Sequence, residues 1–74
     1  MIVIIESTSK IVELNGVPAR IWEGQTENGI KCHCFITRIA INKKETRVEE
    51  FETELKEQKA PSIAIQHYPL SLIL

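Results

Sequence analysis

The chain has 74 residues, of which 43% are hydrophobic and 26% charged, and its net charge is −1. This length predicts a single small domain over residues 1–74, and the ordinary composition argues against disorder. The near-neutral charge gives no overall attraction to nucleic acid or to an anionic membrane. The charges are nevertheless unevenly placed: residues 8–44 hold six basic and three acidic side chains, and residues 45–60 hold three basic and six acidic ones.

The apolar start of the chain, Met1–Ile5, is far shorter than the roughly 18–20 apolar residues of a membrane helix. It has neither a basic leader nor a small-residue cleavage site, so we do not expect it to be a signal peptide. With two cysteines and no export signal, the sequence predicts free thiols, a cytoplasmic location and no membrane partner.

Two Asn-Gly dipeptides, Asn15-Gly16 and Asn28-Gly29, divide the first half of the chain. Asn-Gly suits the type I′ turn of a β-hairpin, because both central residues of that turn need positive φ. The flanking runs are rich in Val, Ile, Trp, Phe and Thr, which favour strands. Met1–Glu6 either extends the first strand or forms a separate one. The prediction is a three-stranded antiparallel meander with strands Lys10–Leu14, Val17–Thr26 and Ile30–Ile41.

If both turns contain two residues, the register pairs Leu14 with Val17 in the first hairpin and Trp22 with Phe35 in the second. Side chains alternate between faces along each strand, so one face is predicted to be apolar and to form the core. The members of this face are Val12, Leu14, Val17, Ala19, Ile21, Cys32, Cys34, Ile36 and Ala40. The opposite, mixed face carries Ile11, Glu13, Pro18, Arg20, Trp22, Lys31, His33, Phe35, Thr37 and Ile39.

A helix is predicted to follow the sheet. Thr46 and Glu49 have the spacing of a capping box, and Asn42 and Glu45 have it about one turn earlier, so either pair can start the helix. The helix ends before Pro61, because the residue that precedes a proline is pushed out of the helical region. Its apolar stripe, at helical spacing, consists of Val48, Phe51 and Leu55.

The C-terminal run, Tyr68–Leu74, predicts a strand, and Pro69 near its start favours an edge position. A run that ends in Leu-Ile-Leu is expected to be buried, either against the helix or against another molecule. The predicted order is therefore β-β-β-α-β: an α+β fold with a three-stranded meander, one helix packed on one face and a C-terminal edge strand. The candidate self-association edge consists of Leu70, Leu72 and Leu74.

Cys32, His33 and Cys34 are the local group with the most potential for chemistry. On a strand the two cysteines share a face about 6–7 Å apart, whereas His33 points to the opposite face. This geometry opposes a local three-ligand site and a disulfide, and a structural zinc site needs four ligands. The other histidine of the chain is His67. We interpret the cysteines as small buried apolar groups and expect no bound metal or cofactor.

Catalytic residues are not recognisable in the sequence. The chain has no Asp, which is the common orienting carboxylate of nucleophilic triads, although Glu can replace it. Neither histidine has a Ser or a second His at a recognisable spacing. A sheet and helix of this size also have little room to enclose a substrate. We therefore expect a protein that is not an enzyme.

The mixed sheet face is the predicted binding surface. Aromatic side chains flanked by basic and hydroxyl groups are typical of surfaces that bind a protein groove or stack nucleic-acid bases. In the alternative interpretation, a terminal strand or a second copy of the chain covers this face and makes it a second core layer. The candidate binding residues are Arg20, Trp22, Lys31, His33, Phe35 and Thr37.

These features favour a small non-enzymatic interaction or accessory domain that presents a sheet face or an edge strand to a protein partner, including a second copy of itself in a homodimer. The alternative is a nucleic-acid-binding domain that uses the same sheet face. The order of three antiparallel strands and a helix resembles small DNA-binding domains of plants and of phage integrases, which implies major-groove reading by the sheet. Those domains carry several Arg and Lys on the sheet, whereas Arg20 and Lys31 would neutralise few phosphates.

Overall fold

The computed structural model describes residues 1–66 of the chain. One antiparallel sheet with strand order β1-β2-β3 is followed by two helices. These findings confirm an α+β arrangement with a three-stranded sheet and a helix, whereas the predicted strand Tyr68–Leu74 lies outside the described residues. The elements are β1 (Val3–Leu14), β2 (Val17–Thr26), β3 (Lys31–Ile36), α1 (Val48–Leu55) and the single turn α2 (Ile63–Gln66).

The first Asn-Gly turn has the predicted geometry. Asn15 and Gly16 have φ values of 50° and 82°, as a type I′ turn requires. Leu14 accordingly pairs with Val17, and β1 runs back from the turn as far as Val3. The first hairpin is therefore confirmed, and residues 3–6 extend its first strand.

The second Asn-Gly turn differs from the prediction by one residue. The Thr26 amide donates to the carbonyl of Ile30 at 2.9 Å, and the Gly29 amide donates to the carbonyl of Thr26 at 2.9 Å. Gly29 has φ 84°, but Asn28 is not among the residues with positive φ. This is a three-residue loop in which a left-handed glycine follows an ordinary turn. The amide of Ile30 also donates to the Thr26 hydroxyl at 3.2 Å, which supports the longer loop.

The extra loop residue moves every side chain of β3 to the other face of the sheet, because side chains alternate with a period of two. Trp22 pairs with Cys34, and Ile21 pairs with Phe35, so the predicted Trp22–Phe35 pair is wrong. One side, named the Ile21 face, carries Ala19, Ile21, Glu23, His33 and Phe35. The other, named the Trp22 face, carries Ser7, Ile11, Arg20, Trp22, Cys32, Cys34 and Ile36.

A bulge in β1, between Ser7 and Ile11, is held together by Thr8. Thr8 is fully buried, and its hydroxyl donates to the carbonyl of Ile21 at 2.7 Å. The same hydroxyl accepts from the Lys10 amide at 3.2 Å. The bulge thus satisfies the polar groups of Thr8 inside the sheet, as burial requires.

Gly24, in the middle of β2, permits the close approach of β1. A Cβ atom at this position would overlap the carbonyl oxygen of Ile4. A glycine inside a strand often marks such a contact between backbones.

The Ile21 face is covered by residues 59–66, named the strap. The amide of Ser9 donates to the carbonyl of Lys59 at 3.0 Å, and the amide of Lys59 donates to the carbonyl of Ser7 at 3.1 Å, which forms a parallel bridge to β1. Farther along the strap, Ile65 is fully buried, as is Ile21. The strap therefore completes the best-buried part of residues 1–66.

Helix α1 is shorter than predicted and lies shallowly on the molecule. It begins after Arg47 without a side-chain cap, so the capping box of Thr46 is not formed. The carboxylate of Glu45 instead accepts from the Arg47 amide at 3.1 Å. The helix ends at Leu55, well before Pro61, and none of its residues is buried. Within residues 1–66, no helix has the length and apolar character needed to cross a membrane.

Candidate functional site

Glu23, on the central strand, is the centre of the most extensive polar cluster within residues 1–66. Its side chain is only 11% exposed. Ser62 donates to it twice, from its amide to Oε2 at 3.2 Å and from its hydroxyl to Oε1. Lys59 Nζ lies 3.6 Å from Oε2, and His33 Nε2 lies 3.9 Å from Oε1. One carboxylate therefore joins β2 and β3 to the strap.

These contacts stabilise the charged form of Glu23. Burial alone would raise the pKa of its carboxyl group, but the hydrogen bonds from Ser62 and the nearby charges of Lys59 and His33 outweigh burial and lower the pKa. A carboxylate with a lowered pKa is a weak general base at neutral pH. The Ser62 hydroxyl donates a hydrogen bond to this carboxylate, and that bond holds the strap against the sheet. The cluster is therefore suited to stabilising the structure rather than to nucleophilic catalysis.

A cavity of about 700 Å³ opens beside the Glu23 cluster. Its walls include acidic and basic side chains together with Ile4 and Ile63. Glu6 and Glu23 are balanced there by Lys31 and Lys59, so the cavity has no dominant charge. Among residues 1–66, moreover, no three His, Cys, Asp or Glu side chains are placed to share a metal ion.

A second concave region lies on the Trp22 face, beside helix α1. It comprises an open groove of about 290 Å³ and an adjoining cavity of about 170 Å³, both bordered by Trp22, Ile39 and Leu55. Phe51 closes the smaller cavity. We name this region the Trp22 groove; its larger part is also lined by Ile11, Arg20, Ile36, Thr37 and Arg38.

The residues predicted to form one binding surface are divided between the two regions. Arg20, Trp22 and Thr37 line the Trp22 groove. Lys31 and His33 line the cavity beside Glu23. Phe35 pairs with Ile21 on the covered face. The structure thus brings together half of the predicted surface, and its partner remains a prediction. The other predicted surface, Leu70, Leu72 and Leu74, and the histidine His67 lie outside the described residues.

Cys32 and Cys34 are free thiols of intermediate exposure. The register places them on the Trp22 face, so their predicted position beside Ile21 is wrong. Burial raises the pKa of the Cys34 thiol, and the neighbouring Cys32 raises it further. The Cys34 thiol is therefore not an activated nucleophile. As predicted, His33 points to the opposite face from both thiols.

Sequence reasoning missed the role of Glu23, although one signal was available. The alternation that places Ala19 and Ile21 in the core also places Glu23 on that face, and a carboxylate on a core face needs partners. The partners themselves, Lys59 and Ser62, are distant in sequence. Ser62 lies 39 residues away, and no local pattern predicts so distant a hydrogen bond.

Comparison with models of protein families, with curated proteins and with solved structures finds no match to this chain.

Proposed function

We propose that this chain is a small non-enzymatic interaction domain that binds a protein partner, a second copy of the chain included, through the Trp22 groove. The supporting observation is the apolar surface that the groove leaves open. Ile11, Ile39 and Leu55 are 52%, 41% and 42% exposed. Exposed apolar surface gathered around a groove marks interaction sites on folded proteins.

The chemistry of the rim indicates what the partner carries. Arg20 and Arg38 line the groove, and the guanidinium of Arg20 is held by a 2.9 Å hydrogen bond to the Thr8 carbonyl. Arginine and tryptophan are the side chains that most often dominate binding at protein interfaces. A partner segment with apolar side chains and flanking carboxylates complements this groove.

Two further parts of the proposal concern the C-terminal tail, which lies beyond residues 1–66, and the location of the protein in the cell. The tail is proposed to form the C-terminal edge strand, whose Leu70, Leu72 and Leu74 offer a second route to self-association by edge pairing. The domain is proposed to act in the cytoplasm, where free thiols persist.

The alternative, nucleic-acid binding by the sheet, receives less support. It needs several basic and aromatic side chains on one surface, whereas the register places Lys31, His33 and Phe35 on the face opposite to Arg20 and Trp22. Labelled DNA and RNA at about 50 and 200 mM salt provide the test, because phosphate contacts produce a steep salt dependence. We expect no binding to either probe; tight, salt-sensitive binding would replace the present proposal.

The proposal is tested by site-specific photo-crosslinking in cells that produce the full chain. A photoreactive amino acid replaces Ile39 in the groove or, as a control, Ile30, which is 65% exposed at the second turn. We expect discrete covalent adducts from position 39 and none from position 30. An adduct containing two copies of the chain identifies self-association.

The affinity of the identified complex then decides whether the groove is the contact surface. Ile39→Glu should weaken binding by at least about tenfold, roughly 1.4 kcal/mol, whereas Ile30→Glu should leave it unchanged. Both positions are exposed, so neither substitution should unfold the chain. The absence of adducts at position 39, or equal adducts at both positions, contradicts the proposal.

A further inference from the structure

The two cysteines of β3 take no part in the polar contacts of Glu23 and do not line the Trp22 groove, although Cys32 borders the cavity beside Glu23. Cys32 and Cys34 are two residues apart on one strand and share the Trp22 face. Their Cα atoms are therefore about 6–7 Å apart. Their Cβ atoms point the same way and are about as far apart, which is too far for a relaxed disulfide, whose Cβ atoms lie about 4 Å apart. That separation nevertheless lets both thiols lean toward a point between them.

The surroundings of the pair leave both thiols partly accessible. The residue paired with Cys32 across the sheet is Gly24, which has no side chain to cover the thiol. Gly24 cannot easily become larger, because a Cβ atom there would overlap the Ile4 carbonyl. The close approach of β1 to β2 thus requires a glycine opposite Cys32, and both cysteines have intermediate exposure.

We propose that Cys32 and Cys34 together form a two-coordinate binding site for a soft monovalent cation of the Cu(I) type. Soft thiolate ligands favour Cu(I), together with zinc and iron–sulfur clusters. Two metal–sulfur bonds of roughly 2.3 Å each span about 4.6 Å, a separation that same-face neighbours on a strand can reach.

The same geometry selects against zinc. A structural zinc site takes four ligands in a tetrahedron. His33 points away from the thiols, and residues 1–66 contain no group of three His, Cys, Asp or Glu suited to a metal. A cation that accepts two thiolates in a line is therefore favoured over one that needs four ligands.

Binding exchanges protons for the cation without any change of oxidation state. Each thiol releases one proton to solvent, and the two thiolates and Cu(I) form a complex of net charge −1.

The test is an anaerobic titration of the full chain with Cu(I) in competition with a coloured Cu(I) chelator. We expect one Cu(I) per chain. Cys32→Ser and Cys34→Ser should each weaken binding by more than about a hundredfold, since the loss of even an outer-shell partner weakens a metal site roughly 10–100-fold. The matched control, His33→Gln, changes the residue between the two thiols on the opposite face and should leave the affinity unchanged.

A second measurement uses the unmodified chain and so does not depend on the folding of the variants. One equivalent of Cu(I) should protect both thiols from alkylation together, as measured by mass spectrometry. Protection of one thiol alone, one Cu(I) shared by two chains, or binding too weak to compete with the chelator would each overturn the proposal.

Discussion

On one face of the sheet Ala19 and Ile21 are sealed from water, whereas on the other face Trp22 remains half-buried. The sealed face is covered by the strap, which is bonded to the sheet through Glu23. The open face is bordered by α1, a helix without a buried residue. The strap and helix α1 are thus attached to the sheet in different ways. The strap is held by hydrogen bonds from its backbone and to the Glu23 carboxylate. The helix is held by a few half-exposed apolar side chains.

This difference separates stability from recognition. A small chain buries little apolar surface and has a narrow stability margin, so full burial on one face contributes a large share of the folding free energy. The Trp22 face contributes less, and its apolar groups remain available for binding. We therefore expect substitutions on the Ile21 face to change folding and substitutions in the Trp22 groove to change association.

The largest effect is expected from Ile21→Ala. Ile21 is fully buried, and truncation of a buried isoleucine costs about 2–5 kcal/mol. The matched variant is Ile36→Ala on the Trp22 face, where a half-buried side chain should cost about 1 kcal/mol at roughly 25 cal/mol per Å² of apolar surface. Urea denaturation followed by Trp22 fluorescence measures both. Equal losses of unfolding free energy in the two variants would show that the two faces contribute alike to folding, and would contradict the larger contribution expected of the Ile21 face.

The next effect is that of Glu23→Gln, which tests how the strap is attached. The variant keeps the shape of the side chain but removes the charge that Ser62 and Lys59 contact. Hydrogen bonds to charged groups contribute about 1.5–3 kcal/mol, and we expect a loss of that size in the free energy of unfolding at pH 7. A loss below about 0.5 kcal/mol, the range of ordinary surface substitutions, would mean that the strap is held by Ile65 alone.

The same variant predicts a pH dependence. Because the pKa of Glu23 is lower in the folded than in the unfolded chain, its stabilisation is complete above the unfolded value of about 4.3. It is lost as the pH falls through the lower, folded pKa. The difference in unfolding free energy between the native chain and Glu23→Gln should therefore shrink on acidification. Glu13→Gln, at an exposed site on β1, is the control and should show no such difference.

The extent to which the fold follows from the sequence is clearest at the two Asn-Gly turns. At Asn15-Gly16 the local signal is sufficient, and counting outward from it places Ala19 and Ile21 correctly in the core. At Asn28-Gly29 the same dipeptide supports a longer loop, since Thr26 adds a side-chain hydrogen bond to Ile30. The additional loop residue shifts the register of β3 by one and so places every β3 side chain on the opposite face of the sheet.

The candidate sites depend on contacts between distant parts of the chain, and local sequence patterns do not predict such contacts. Arg20, Trp22 and Thr37, which the sequence places on one face, lie in or next to the second hairpin and line the same groove. The sequence pattern extends the helix as far as Pro61 and so includes the first residues of the strap. In the structure Lys59 leaves that pattern and pairs with the bulge at Thr8, an interaction between backbones that residue types do not encode.

The smallest expected change in unfolding free energy is that of Asn15→Ala. Together with Asn28→Ala, it tests the register that assigns the β3 side chains to the two faces. Asn15 has φ 50°, a conformation that costs an ordinary residue about 1–2 kcal/mol, while Asn tolerates it better. Asn15→Ala should therefore destabilise the chain by about 1 kcal/mol, whereas Asn28→Ala should stay within about 0.5 kcal/mol of the native chain. Equilibrium denaturation of the two variants under the same conditions makes the comparison. Equal losses would indicate positive φ at Asn28 and a two-residue turn, in which case Cys34 would return to the Ile21 face and Phe35 would pair with Trp22.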